Sequence, residues 1–234
     1  MKTVEVCLTP DLIQHFNLKG KVVIVVDIFR ATSCIVTGLA YGVNAIYPVA
    51  TVEECKNFKK KGMIIAGERG GEKVAGFDVG NSPYEYMNDE FQSKDIAVTT
   101  TNGTQAILKS IGADQILIGA FLNLRAMADF ILDSNKNIII HCAGWKGMVN
   151  IEDTLFAGAL INEIKATHQP SGDSAFMAGD LYHFHHMDLL HAAHNSSHAK
   201  RLAAFGIEKD LDFCMEMSLY SIIPSYQDKK ITLL

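Results

Sequence analysis

Lys21-Val22-Val23-Ile24-Val25-Val26-Asp27 is the stretch whose reading decides the fold. Positions 22 to 26 are all β-branched, with no polar residue alternating among them. A strand wetted on one face alternates apolar and polar side chains, so this run predicts a strand covered on both faces. That is the habit of a parallel sheet flanked by helices. Working outward, further strand patterns fall at 45–49, 63–66, 96–99, 115–118 and 138–142. Helix patterns fall at 31–41, 52–61, 104–111, 122–132 and 152–166. Thr3 to Leu8 alternates and reads as an edge strand. This succession predicts an α/β fold with a doubly wound, mostly parallel sheet and a helical C-terminal part. We read residues 1–234 as a single α/β unit, with any division into two lobes falling near 1–135 and 136–234.

The bulk properties narrow the function. At 234 residues, 48% hydrophobic and 20% charged, the chain can bury a substantial core. A net charge of −5 argues against a general nucleic-acid binder, which would carry a basic face. No apolar run approaches the ~20 residues that span a bilayer, and Met1–Val6 has no signal-peptide core. The five cysteines are odd in number and embedded in apolar sequence, which suits reduced thiols in the cytoplasm.

In doubly wound sheets, ligands bind beyond the carboxyl ends of the strands. The polar residues at those ends are Asp27 to Ser33, Glu68 to Gly71, Thr99 to Thr104 and Ala143 to Asp153. Residues 67–83, which follow the strand pattern at 63–66, hold five glycines together with Glu68, Arg69, Asp78 and Asn81. Glycine is costly to order, so such a loop suggests close approach to a ligand or, alternatively, a solvated surface turn. Asp27 and Arg30 either pair with each other or line an anion site at the following helix start, where Thr32 and Ser33 stand. Thr101, Asn102 and Gly103 form either an oxyanion-binding nest or a capping turn. Asn81 and Asp78 either position a ligand or form an Asx turn.

Two other features carry less. His141-Cys142-Ala143-Gly144 superficially suggests a cysteine phosphatase, but Met148 stands where the phosphate-gripping arginine is needed. Cys142 is read as a small core residue. Glu152 and Asp153 open the next helix about 100° apart, so one of them faces the site. His183, His185, His186, His191, His194 and His198 match no zinc spacing and are read as a polar face on terminal helices.

Taken in order, Val26–Ser33, Gly67–Gly71, Phe77–Pro83, Thr100–Thr104, Cys142–Gly144 and Glu152–Thr154 resemble the 2-phosphosulfolactate phosphatase family. The resemblance covers about residues 20–160 and continues more loosely through Leu202–Gly206 and Ile223-Pro224. It departs at Met215–Tyr220, where an acidic residue is expected, and in the histidine-rich segment. It implies a three-layer α/β/α fold, a homodimer, and Mg2+-dependent hydrolysis of 2-phospho-3-sulfolactate, a step towards coenzyme M. On that basis Mg2+ is expected on Asp27, Glu68 and Asp153, which are also the expected catalytic residues. Arg30 and Arg69 would clamp the phosphoryl or sulfonate oxygens, with Thr101, Asn102, Gly103 and Asn81 binding substrate. The expected nucleophile is a metal-activated water, with Asp27 as the alternative. Rival readings are a phosphatase for another 2-hydroxy-acid phosphate and a non-catalytic binder of anionic metabolites.

Overall fold

The computed structural model describes residues 1–234. The first half runs β1 (Lys2–Cys7), β2 (Lys21–Val26), α1 (Ala31–Ala40), β3 (Ala45–Pro48), α2 (Val52–Lys59), β4 (Ile64–Arg69), β5 (Glu72–Lys73), α3 (Pro83–Tyr86), β6 (Asp95–Thr99) and α4 (Gly103–Lys109). It continues through β7 (Gln115–Gly119), α5 (Leu124–Asp133), β8 (Asn137–Cys142), α6 (Ile151–Ile164), β9 (His168–Pro170), α7 (Asp173–His185), α8 (Leu189–His194), α9 (Ser197–Ala203), α10 (Glu208–Cys214), β10 (Pro224–Gln227) and β11 (Lys230–Leu233). One ladder joins all the strands, in the order β5-β4-β6-β3-β11-β10-β7-β2-β8-β1-β9. Helices cover both of its faces, so the architecture is a three-layer α/β/α fold.

β2 behaves as its sequence demands. Val22, Ile24 and Val26 pack into one apolar cluster with α5, α6 and α7, while Val23 and Val25 pack into a second with α1 and α4. Neither face meets water, which removes any need for alternation. Local chemistry fixes the helix starts. Thr51 Oγ1 accepts the Glu54 N–H at 3.1 Å and Glu54 Oε2 accepts the Thr51 N–H at 3.2 Å, closing a capping box on α2.

Two expectations need correction. β1 is not an edge, because the short β9 pairs with it through Lys2↔His168 to Val4↔Pro170. The C-terminal part is helical only as far as Cys214. Residues 224–233 form the antiparallel hairpin β10–β11, inserted in mid-sheet between β7 and β3.

The insertion divides the parallel strands into β4-β6-β3 on one side and β7-β2-β8-β1 on the other, with β9 parallel beyond β1. In a flat sheet β2 and β6 would lie roughly 24 Å apart, five spacings of about 4.8 Å. Yet a Cβ built on Gly103, just past β6, would sit 2.7 Å from Asp27 Oδ2 and 2.6 Å from the Ala31 Cβ. The four-residue link from Thr99 spans at most about 14 Å. The sheet is therefore strongly curled, bringing the carboxyl ends of its two parallel groups together, and only glycine fits at the contact.

Candidate active site

Asp27 is the first residue beyond β2 and is 4% exposed. Thr32 closes a tight loop on it: the Thr32 hydroxyl donates to the Asp27 carbonyl at 3.0 Å and accepts the Asp27 N–H at 2.9 Å. The Ser33 hydroxyl donates to the Ile28 carbonyl at 3.0 Å. Both hydroxyls are thus engaged with backbone at the start of α1 and shape the turn rather than reach for an anion. They leave the Asp27 carboxylate facing a narrow, partly open cleft.

Glu68 enters that cleft from β4. Gly70 and Gly71, at φ +67 and +97, make the tight turn from β4 into β5, a geometry that disfavours side chains. The Gly71 N–H donates to Glu68 Oε2 at 2.8 Å and the Thr101 N–H to Oε1 at 2.7 Å. The glycine-rich stretch is therefore an ordered hairpin gripped by its own acid. Asn81, Thr101 and Asn102 line the same cleft. Asn81 Oδ1 and Thr101 Oγ1 are buried with no protein hydrogen bond, as expected of groups waiting for a ligand. Asn102 Oδ1 accepts the Lys146 N–H at 3.2 Å.

Arg30 lines the cleft but does not pair with Asp27. Its guanidinium forms an ion pair with Asp210 of α10 and donates to the Gly71 carbonyl at 3.2 Å. Asp210 also accepts from the Ser82 hydroxyl at 2.9 Å. Arg69, expected to clamp substrate oxygens, stands elsewhere in the structure. It donates to the Thr99 hydroxyl at 2.9 Å and the Thr99 carbonyl at 3.2 Å, tying β4 to β6, and it does not line the cleft. Adjacent strand residues point to opposite faces, so with Glu68 in the cleft Arg69 is turned away.

Asp153 is also displaced from its expected role. Its oxygens accept the Ile28 N–H at 2.8 Å and the Gly144 N–H at 3.0 Å, pinning the loops after β2 and β8, and it does not line the cleft. The helix-start acid that serves the cleft is Glu152, whose Oε1 holds His198 Nδ1 at 2.7 Å. Glu152 is fully buried and its Oε2 has no partner.

Five residues that the sequence reading passed over complete the wall. Trp145, Lys146, His198 and Arg201 line it, and Asp210 holds Arg30. His198 stacks on Trp145 at 5.7 Å between ring centroids and 16° between planes. The Arg201 guanidinium sits 4.9 Å from the same ring and donates to the Gly70 carbonyl at 2.8 Å. The histidines do not share one helical face, as α8 ends at His194 and α9 starts at Ser197. His198 is no part of a polar surface: it is buried.

The electrostatics call for a cation. Burial and the neighbouring Asp153 and Glu68 push the Asp27 carboxyl up, to about 8, against the pull of His198. Burial beside Glu152 raises Asp153 as well. No three His, Cys, Asp or Glu side chains form a complete protein cage, and of the expected Asp27, Glu68 and Asp153 only the first two line the cleft. Mg2+ needs no such cage, being held by one or two carboxylates with waters and substrate phosphates. Asp27 and Glu68, hard oxygen donors facing the cleft, fit that pattern.

With this geometry in hand, comparison with known proteins is informative. The sequence profile described as 2-phosphosulpholactate phosphatase matches residues 7–229. The chain is 40% identical over 202 residues to a probable 2-phosphosulfolactate phosphatase of Thermotoga petrophila, covering 86% of this chain and 87% of that one. It is 37% identical over 225 residues to the protein of the same description from Caldanaerobacter subterraneus, covering 94% and 93%. With that from Clostridium beijerinckii it shares 33% identity over 235 residues, covering 98% of each.

Proposed function

The chain belongs to the 2-phosphosulfolactate phosphatase family, and from that premise we propose that it is a Mg2+-assisted phosphatase releasing sulfolactate and inorganic phosphate from 2-phosphosulfolactate, as in coenzyme M synthesis. One observation carries the reading: three cationic side chains, Arg30, Lys146 and Arg201, converge on a cleft floored by Asp27 and Glu68. The proposed substrate carries a phosphate, a sulfonate and a carboxylate, anionic groups that suit such a cleft. Arg30 is already neutralised by Asp210, whereas Lys146 and Arg201 have no carboxylate partner and are free to take charge from a ligand.

Phosphate monoesters are so inert that the site must combine positioning with charge neutralisation. Asp27 and Glu68 would hold Mg2+, which when bound supplies positive charge against the phosphoryl oxygens. The unpartnered Thr101 hydroxyl donates to a substrate oxygen, while Asn81 Oδ1, an acceptor, suits a water or the metal. Lys146 and Arg201 anchor the second anionic end, and Arg201, forked and planar, suits the bidentate geometry of a sulfonate or carboxylate. The Trp145 face beneath Arg201 fixes its direction. No helix is long and apolar enough to cross a membrane. We further propose a cytoplasmic homodimer acting on a small phosphate ester without nucleic acid, which light scattering on the purified protein checks.

The test is phosphate release from a panel of esters, with Mg2+ or with EDTA. Mg2+-dependent release that favours 2-phosphosulfolactate is expected. Preference for a sulfur-free 2-hydroxy-acid phosphate would shift the reading to a related hydrolase. Tight binding without release would make the protein a binder of anionic metabolites.

A further inference from the structure

The phosphatase reading leaves one arrangement unused: a fully buried acid holding a buried histidine against the cleft. Glu152 Oε1 lies 2.7 Å from His198 Nδ1, and its Oε2 has no hydrogen-bond partner. An ionised carboxylate sealed from water needs a compensating charge, and His198 is the side chain hydrogen-bonded to it. The contact directs Nδ1–H at Glu152. The ring is further fixed by its stack on Trp145 and by Phe29, tilted against it at 6.4 Å. With Nδ1 engaged, Nε2 makes no hydrogen bond to protein, and His198 lines the cleft. The other charged groups around the ring are Asp27 beyond β2, Lys146 in the loop before α6, and Arg201 one turn further along α9.

We propose that His198 is the general acid that protonates the departing alcohol oxygen, with Glu152 as its positioning residue. The proposal rests on the phosphatase reading and deepens it by assigning a proton donor. In the step, the ester P–O bond breaks and its electron pair stays on the carbon-bound oxygen, which takes the proton from His198 Nε2. A water oxygen bonds to phosphorus and gives up a proton to solvent, and the neutral imidazole regains one from solvent. The products are the free hydroxy acid and inorganic phosphate. An alkyl alkoxide is a poor leaving group and needs this proton, whereas a nitrophenolate is stable without it. A group placed for this transfer contributes roughly 10²- to 10⁴-fold.

The experiment compares kcat and KM of the parent, His198→Gln and Glu152→Gln on 2-phosphosulfolactate and on p-nitrophenyl phosphate, in saturating Mg2+. For His198→Gln we expect kcat on 2-phosphosulfolactate to fall about 10²- to 10⁴-fold, with the loss on the aryl ester at least ~10-fold smaller. Glu152→Gln should show a smaller loss with the same leaving-group bias, carried in kcat and not KM. Equal losses on both esters would overturn the proposal, since they mark His198 as a nucleophile or a packing residue. If both variants fail to fold, the parent alone decides. A solvent deuterium isotope effect larger on the alkyl than on the aryl ester supports proton donation, and equal effects overturn it. A parent that releases phosphate from neither ester removes the phosphatase reading itself, and the proposal with it.

Discussion

Replacing Asp210 with Asn removes one charge from the ion pair with Arg30 while keeping the size of the side chain and an oxygen for the Ser82 hydroxyl. Both partners are nearly buried, Arg30 at 4% and Asp210 at 6% exposure. Breaking such a pair by neutralising one partner typically costs about 3–5 kcal/mol, because the other charge is left uncompensated. Arg30 keeps the Gly71 carbonyl and borders a cleft open to water, so the lower end, about 3 kcal/mol, applies. At roughly 2–4 °C per kcal/mol for a chain of this length, the melting temperature should fall by about 6–12 °C. The same deficit creates a signature. Inorganic phosphate entering the cleft can supply the missing negative charge to Arg30, so it should raise the melting temperature of Asp210→Asn more than that of the parent. The assay is thermal unfolding followed by circular dichroism, with and without phosphate. A variant that melts with the parent would refute the energetic argument. Equal phosphate shifts in the two proteins would show that Arg30 does not meet the anion.

Gly103→Ala should cost about 1–3 kcal/mol by overpacking and lower turnover at least ~10-fold by displacing Asp27; a variant with parental kcat would show the contact to be slack. Arg201→Ala should raise KM roughly 10- to 10²-fold, the worth of a charge-assisted contact, with little change in melting. Arg69→Ala should do the reverse, losing ~1–3 kcal/mol of stability while KM stays within a few-fold, and steady-state kinetics beside melting curves separates the two arginines. Because the Asp27 carboxyl is raised in the native state to about 8, the native protein binds more protons than the unfolded chain between the ordinary carboxylate range and that value. Metal-free melting temperature should therefore fall as pH climbs through this window, and Mg2+ should flatten the slope by favouring the ionised form. A slope indifferent to Mg2+ would take Asp27 out of the metal site.

Much of this was legible in the chain because it depends on local pattern. An apolar strand covered on both faces ends where its polar residues begin, so Asp27, Glu68, Thr101 and Asn102 could be collected without knowing the strand order. The position of Arg69 was not legible from a strand pattern ending at Ala66, since the strand runs on through Arg69. Extended through Arg69, the two-residue periodicity turns that side chain away from Glu68. Glu152 and Asp153 posed a choice the helix start could not make, since either acid complements its dipole. The C-terminal contributions were illegible for a different reason. Arg30 and Asp210 are 180 positions apart, and nothing local to either announces the other. The final hairpin hid because its turn, Asp228-Lys229, holds positive φ at two non-glycine residues. The Asn-Gly or Gly-Gly signal of such turns is missing there.

That hairpin has a consequence for how the chain comes to be folded at all. β10 and β11 lie between strands made much earlier, and the sheet has no continuous ladder until they arrive. Whenever residues 224–233 are unpaired, β3 and β7 present open edges, the kind of surface that invites pairing with another chain. The two parallel groups of strands thus depend on one antiparallel hairpin, distant in sequence from both, to join them into a single sheet.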